Sequence, residues 1–293
     1  MARMKNGIIL VGVTLLVCGI GTAYAVQTIT ATKVSDPPVI DGVADDAVWQ
    51  KAEPIVTHDK IRQTDVTLKA VYTDTDIFFL VTFKDPDESR EHKTLLWNPQ
   101  EMMYEDGPER EDVFVFKWSM ELTPIDLSIN ADEGYMADIW FWKACRTDPS
   151  GFADDKRHIL SNYELPDSRR VISKKGNLFY LARPGDEGTE AYEANIFVDH
   201  QNDRMPKYTN KQPTGSRADI RAKGQWHDGA WTIEFGRKLD TGNMDDVQFD
   251  PAKEYEFGIS CYEMAGRSPD QSTTQPLYGT GDVSEELWLE FGK

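Results

Sequence analysis

Apolar residues in this chain recur at every second position, in short runs, almost from end to end. The run "TDVTLKAVYTD" sets Val66, Leu68, Ala70 and Tyr72 on one face and polar or charged residues on the other. A two-residue period belongs to a strand, whose successive side chains point to opposite faces. Asp74-Thr75-Asp76 supplies a turn and "IFFLVTFKD" returns, so residues 64–85 read as a β-hairpin. The stretches "DVFVFKWSM" (112–120), "ADIWFWKAC" (137–145), "NLFYLA" (177–182), "AWTIEFGRKL" (230–239), "EYEFGISCYE" (254–263) and "EELWLEF" (285–291) keep the same habit. Helical character is confined to a turn or two at "DDAVWQKA" (45–52). Many strands separated by Gly, Pro and Asp loops predict an all-β chain, a single β-sandwich with long loops and short helical turns.

Two segments interrupt the strands. Residues 86–111 hold Pro86, Pro99, Gly107 and Pro108 among many acids, and residues 183–216 hold Pro184, Gly185, Gly188, Pro206, Pro213 and Gly215. Both read as long surface loops, where binding usually resides on a rigid sandwich. The first 25 residues stand apart for another reason. Arg3 and Lys5 precede the apolar run "GIILVGVTLLVCGIG", and Ala23-Tyr24-Ala25 closes it. A basic start, a short apolar core and a small-x-small end describe a secretory signal peptide. Cleavage after Ala25 predicts a mature domain, residues 26–293, that is periplasmic or otherwise secreted and has no membrane span.

Charge narrows the partners. The chain carries a net −18, and loss of Arg3 and Lys5 takes it to −20. Nucleic acid and anionic membrane surfaces would repel such a surface, whereas a basic soluble carrier would be drawn to it. Two cysteines follow the leader, Cys145 and Cys261, with no Cys-x-x-Cys-His and hence no covalent c-type haem. They read equally as a disulfide or as two buried thiols. The five histidines (His58, His92, His158, His200, His227) are scattered through presumed loops and read as solvent-facing. Paired Asp154-Asp155 reads as turn-capping or as a partner for arginine.

Three stretches carry what remains. In "PPVIDGVADDAVWQKA" (37–52), Asp41-Gly42 makes a turn, Asp45 or Asp46 caps the short helix and Trp49 plugs the core. A calcium site among those acids is the alternative. The stretch is similar to the opening of family 9 carbohydrate-binding modules, which bears on fold alone. In "EREDVFVFKWSM" (109–120), alternation puts Val113, Val115 and Lys117 on one face and Phe114, Phe116, Trp118 and Met120 on the other. Lys117 is either a sheet-margin lysine with its ammonium in water, or a buried amine able to offer a lone pair to a metal. The third stretch, "DIWFWKACRTDPSGFADD" (138–155), sets Asp138, Trp140 and Trp142 on one face and Ile139, Phe141 and Lys143 on the other. Both faces read as covered.

This third stretch, with Asp112–Trp118, "GSRADIRAKGQWHDGAWTIEFGRKLDTGNMDDVQF" (215–249) and "YEFGIS", resembles the haem-binding domain of ethylbenzene dehydrogenase gamma subunits. The resemblance implies a β-sandwich holding one b-type haem in a periplasmic electron-transfer subunit. That subunit is not catalytic alone. It relays electrons between the catalytic and iron–sulfur subunits of a molybdenum oxidoreductase and a soluble cytochrome-type carrier. The family's axial ligands are a Met on the strand matching Asp112–Trp118 and a Lys in the loop after "YEFGIS". Here Lys117 stands at the Met position, Met120 lies three residues on, and the loop has no Lys but does have Met264. The implied pair is therefore Lys117 with Met264, and Trp140 and Trp142 line or back the haem pocket. The alternative is a haem-free binding or adaptor module, carbohydrate-binding in kind, in which Trp97 and Trp226 stack on sugar rings.

Overall fold

The computed structural model describes residues 27–59, 62–262 and 285–293, so the expected leader lies outside the described residues. Strands dominate as the two-residue period predicts. One layer is built, in spatial order, from β10 (Arg169–Ile172), β11 (Leu178–Ala182), β9 (Asp154–Ser161), β8 (Tyr135–Lys143), β7 (Val113–Ser119), β17 (Tyr255–Tyr262) and β18 (Glu286–Phe291). The other holds β3 (Thr64–Tyr72), β4 (Asp76–Lys84), β16 (Ala230–Lys238) and β15 (Arg221–His227), with β2 (Ile55–Asp59) on the free edge of β3. The strand β1 (Gln27–Lys33) joins the layers. Its first five residues run parallel to β18, and Thr32 and Lys33 then pair with Val71 and Tyr72 of β3.

The layers meet through one aromatic core. Phe79 of β4 lies 5.0 Å from Phe116 of β7, Phe114 packs 5.9 Å from Phe235 of β16, and Trp142 of β8 packs edge-on against Trp231 at 4.9 Å. Val66, Leu68, Ala70 and Tyr72 all enter this core, as their alternation predicts. A second apolar cluster covers the outer face of β7 and β8. It holds Val113, Val115, Ile139 and Phe141 with Phe179 and Leu181 of β11 in the same sheet, and Leu127 and Ile129 of the segment after β7. Every residue of β7 is consequently buried.

The opening stretch has the structural role expected of it, by a different route. Gly42 takes φ +81°, a conformation that suits glycine at the Asp-Gly turn. Trp49 is buried on a 3₁₀ turn, Ala47–Gln50. Asp46 precedes that turn without capping it; its carboxylate accepts the Val39 N–H at 2.9 Å instead. What ties the stretch down is Glu234 of β16, nearly two hundred residues away. Its buried carboxylate accepts the Asp41 and Gly42 N–H groups at 3.0 and 2.8 Å and the Trp49 indole N–H at 2.7 Å. Replacing Glu234 by alanine strands three buried donors, each costing about 1–3 kcal/mol. Glu234→Ala should therefore lower the unfolding free energy by at least ~3 kcal/mol in urea titration, with Glu234→Gln intermediate.

Candidate functional site

The strands β7, β8 and β9 divide the functional candidates between two faces. Lys117 stands on the outer face, wholly buried. Its ammonium donates to the Tyr135 hydroxyl at 2.7 Å, and that hydroxyl donates on to the Ser128 carbonyl at 3.0 Å. Trp140 and Trp142 point the other way, into the inter-sheet core. The Trp142 indole donates to Asp148 at 2.9 Å, and the Arg237 guanidinium lies 4.6 Å over the Trp140 ring. Met120 packs against that same core and lines a cleft of about 350 Å³ with Tyr255 and Trp288. So Lys117 is not brought together with Met120, Trp140 or Trp142. Met264 lies outside the described residues. The ends of its segment are nonetheless fixed: β17 stops at Tyr262 opposite Val113, and β18 resumes at Glu286 opposite Gly258, which itself pairs with Lys117.

A haem ligated at Lys117 would have to sit on the outer face, since the inner one is filled with aromatic rings. The donor chemistry there suits such a group. A primary amine lies within an apolar cluster, and beside it a cleft of about 530 Å³ is lined by Tyr135, Ile159, Leu160, Tyr163 and Phe179. Further along the same face, Lys143 is buried with its ammonium 2.5 Å from Asp154 and 3.3 Å from the Tyr192 hydroxyl. Burial pulls the Lys143 ammonium down to about 8 despite Asp154. Asp154 also accepts two N–H bonds from Arg217, at 2.8 and 2.9 Å. Arginine pairing, expected of the Asp154-Asp155 dipeptide, holds for Asp154, but both residues lie in strand β9 rather than at a turn.

Asp155 faces inward and has a different fate. It is wholly buried, pairs across β8 with Trp140, and neither of its carboxylate oxygens meets a hydrogen-bond donor. One carboxylate oxygen each from Asp138, Asp155 and Asp246 lies within 4.8 Å of the others. Asp138 uses its other oxygen to accept from Arg237 at 2.7 Å and from the Val247 N–H at 3.0 Å. Burial, reinforced by Asp138, pushes the Asp155 carboxyl well above the usual carboxylate range. Burial also raises Asp246 and the adjoining Asp186, each to about 7. Alternation within the 138–155 stretch identifies Asp138 as inward-facing. It offers no signal for Asp246 or Arg237, which come from strand and loop almost a hundred residues away.

The two long excursions are not independent loops. Within them β5 (Leu95–Asn98), β6 (Met103–Asp106) and β13 (Arg204–Met205) form a three-stranded sheet. A second pair, β12 (Tyr192–Ala194) and β14 (Tyr208–Asn210), lies within the later excursion. Trp97 donates its N–H to the Asp203 carbonyl at 2.9 Å, and its ring packs 5.1 Å from Tyr104 and 4.9 Å from His200. Arg204 bridges Glu91 and Glu109 at 2.5 and 2.9 Å. Trp97 and Trp226 are both half-buried, Trp226 with its indole N–H on the Asp85 carbonyl at 2.9 Å. Cys145 and Cys261 are free thiols. The expectation of loop histidines fails at His158, which is buried in β9, and His92 is buried as well. No helix among the described residues is long and apolar enough to cross a membrane.

A family model described as ethylbenzene dehydrogenase matches residues 26–272. No curated protein matches the chain. Among solved structures, a candidate carbohydrate-binding protein of Bacteroides uniformis is similar over 92% of this chain and 100% of its own, at 8% identity and a TM-score of 0.42. A family 9 carbohydrate-binding module of Caldicellulosiruptor kristjanssonii in complex with glucose is similar over 90% of this chain and 95% of its own, at 10% identity and a TM-score of 0.34.

His92 makes the site region pH-sensitive. Burial, with Arg146, Arg110, Lys93 and Lys143 nearby, holds its imidazole down to about 2, although Glu111 lies 3.4 Å away. Below about pH 6.5 the unfolded chain takes up a proton that the folded chain refuses. Stability should then fall by about 1.4 kcal/mol per pH unit as pH drops from 6.5 towards 2. His92→Gln should remove that increment from the slope measured by chemical denaturation between pH 6.5 and 5.

Proposed function

The chain belongs to the ethylbenzene dehydrogenase family, and on that premise we propose that it is an exported electron-transfer subunit of a molybdenum oxidoreductase, carrying one b-type haem. The observation that supports this reading is the environment of Lys117. Lys117 places a primary amine in the middle of a fully buried strand, on the strand next to β17 and two strands from where β18 resumes, where it could reach a group held from the segment after β17. Lys117 and Met264 would hold the haem, which when bound supplies one-electron transfer at a potential set by its axial ligands. The chain's own part is to position the amine and to exclude water. Tyr135 orients the Lys117 nitrogen, and the cluster of Val113, Val115, Ile139 and Leu127 screens that face from solvent.

A carrier of electrons must be filled and emptied through contact. The sheet formed by the two excursions, with Trp97, Tyr104 and His200 packed on it, is the surface we assign to docking against catalytic or iron–sulfur subunits. The acidic remainder, with a net −18 over the whole chain, would steer a basic cytochrome-type carrier, an effect that salt screens.

Protein produced with haem available should show a Soret band and one haem per chain by pyridine haemochrome. Lys117→Ala and Met264→Ala should each shift that band, while Met120→Ala leaves it in place. A folded, colourless protein that takes up no haem would overturn the proposal and favour the haem-free binding module. Co-purification from the native source at low salt should recover molybdenum-enzyme subunits, and salt should release the soluble carrier.

A further inference from the structure

The aspartates at the inner end of the sandwich have no part in the electron-transfer reading, and their arrangement is costly as it stands. Asp138, Asp155 and Asp246 are all buried, and one guanidinium, Arg237, faces them. Nearby Asp186 pairs with Arg157 at 3.2 Å through one oxygen, its other being buried without a hydrogen-bond donor. If all three were ionised without a ligand, one cation would leave two negative charges in the interior, where an uncompensated charge costs several kcal/mol. Arg237 cannot swing to serve them all. It lies over the rings of Trp140 and Phe249 at 4.6 and 5.2 Å, and another of its nitrogens donates to the Val247 carbonyl.

Asp138 Oδ1, both oxygens of Asp155, Asp246 Oδ1 and the adjoining Asp186 Oδ2 have no hydrogen-bond donor. The second oxygens of Asp138 and Asp246 are occupied, by Arg237 with the Val247 N–H and by the Thr241 hydroxyl at 2.5 Å respectively. Bonds to the outer oxygens thus hold Asp138 and Asp246 in place, and Asp155 closes the triangle with both its oxygens open. One carboxylate oxygen from each residue lies within 4.8 Å of the others, close enough for all three to converge on one ion. Three protein carboxylates converging in a buried site suit calcium, whereas magnesium dehydrates reluctantly and is usually held by one or two carboxylates with its own waters. An all-oxygen donor set likewise disfavours zinc.

We propose that Asp138, Asp155 and Asp246 form a buried calcium site that clamps β8 and β9 to the segment between β16 and β17. Two positive charges cancel the excess, and the open oxygens of all three residues become ligands. This site is distinct from the acids of the 37–52 stretch, where the sequence offers calcium as an alternative, and it does not depend on haem. Its rival is a proton: Asp155 and Asp186 adjoin, and a protonated carboxyl shared between them would also lower the charge.

The two differ in metal content and in what substitution does. The mature protein, purified with calcium and desalted, should retain about one calcium per chain by elemental analysis. Chelation should lower its Tm by at least about 5 °C, with calcium but not magnesium restoring it. Asp155→Asn should abolish both the retained calcium and the calcium-induced rise, while its chelated form melts no lower than the chelated parent, because an unpaired buried charge has been removed. Should Asp155→Asn fail to fold, Asp246→Asn is expected to show the same loss of response. Asp45→Asn should leave the response intact. Absence of bound calcium together with a Tm indifferent to millimolar calcium would overturn the site and leave the shared proton.

Discussion

Burial of one pair of strands on both faces is the constraint from which the rest of this molecule follows. In an ordinary antiparallel sandwich one face of each sheet meets the core and the other meets water. Here β7 is buried at every residue and β8 at all but Met136. The inner face packs Phe114, Phe116, Trp118, Trp140 and Trp142 against the opposing layer, and the outer face packs with Leu127 and Ile129 of the segment after β7 and with Phe179 and Leu181 of β11. A polar side chain on either strand therefore has no solvent to turn to. Each must find a partner within the protein or supply a ligand to something else.

The partners found are unequal. Lys143 is matched by Asp154, whose carboxylate it shares with Arg217. Trp142 is matched by Asp148, whose carboxylate also accepts the Gly224 N–H at 2.6 Å and pairs with Arg90. Gly224 is the residue this arrangement requires, because a Cβ there would lie 2.5 Å from the Trp142 ring. Lys117 donates to the Tyr135 hydroxyl, which orients its amine. Asp155 has no donor at all. Buried polar groups are paired in the great majority of cases, so an orphan is more informative than a satisfied neighbour.

How far the sequence was legible follows the range over which each signal acts. The hairpin 64–85 was readable because turn and alternation are local; its strands, β3 and β4, fall within a residue of the expected limits. The two faces of "DIWFWKAC" were readable for the same reason, and the gamma-subunit resemblance agrees with the family that residues 26–272 match. What failed was pairing across sequence distance. The excursions at 86–111 and 183–216 look like separate loops because nothing in either announces the other, and yet Leu95 and Leu96 pair with Met205 and Arg204. Glu234 sits in a plain strand pattern, with no hint that it anchors Trp49. Of the two readings of Asp154-Asp155, arginine pairing holds for Asp154 and turn-capping does not, because both residues are held in β9 by tertiary partners.

The long 138–155 stretch combines these two scales. It looks like a cofactor wall because its aromatic residues are dense, but Trp140 and Trp142 are spent on the inter-sheet core. Its acids act at a distance: Asp148 reaches β15 through Gly224, Asp154 reaches Arg217, and Asp138 reaches Arg237 and Val247. The stretch is thus the part of the chain through which the outer layer is fastened to residues 215–249. Asp138 and Asp155 on the inner face and Lys117 on the outer face are carried by the same three strands and point to opposite sides of the sheet. The inner fastening of Asp138 to Arg237 and Val247 is therefore made without any contribution from the outer face.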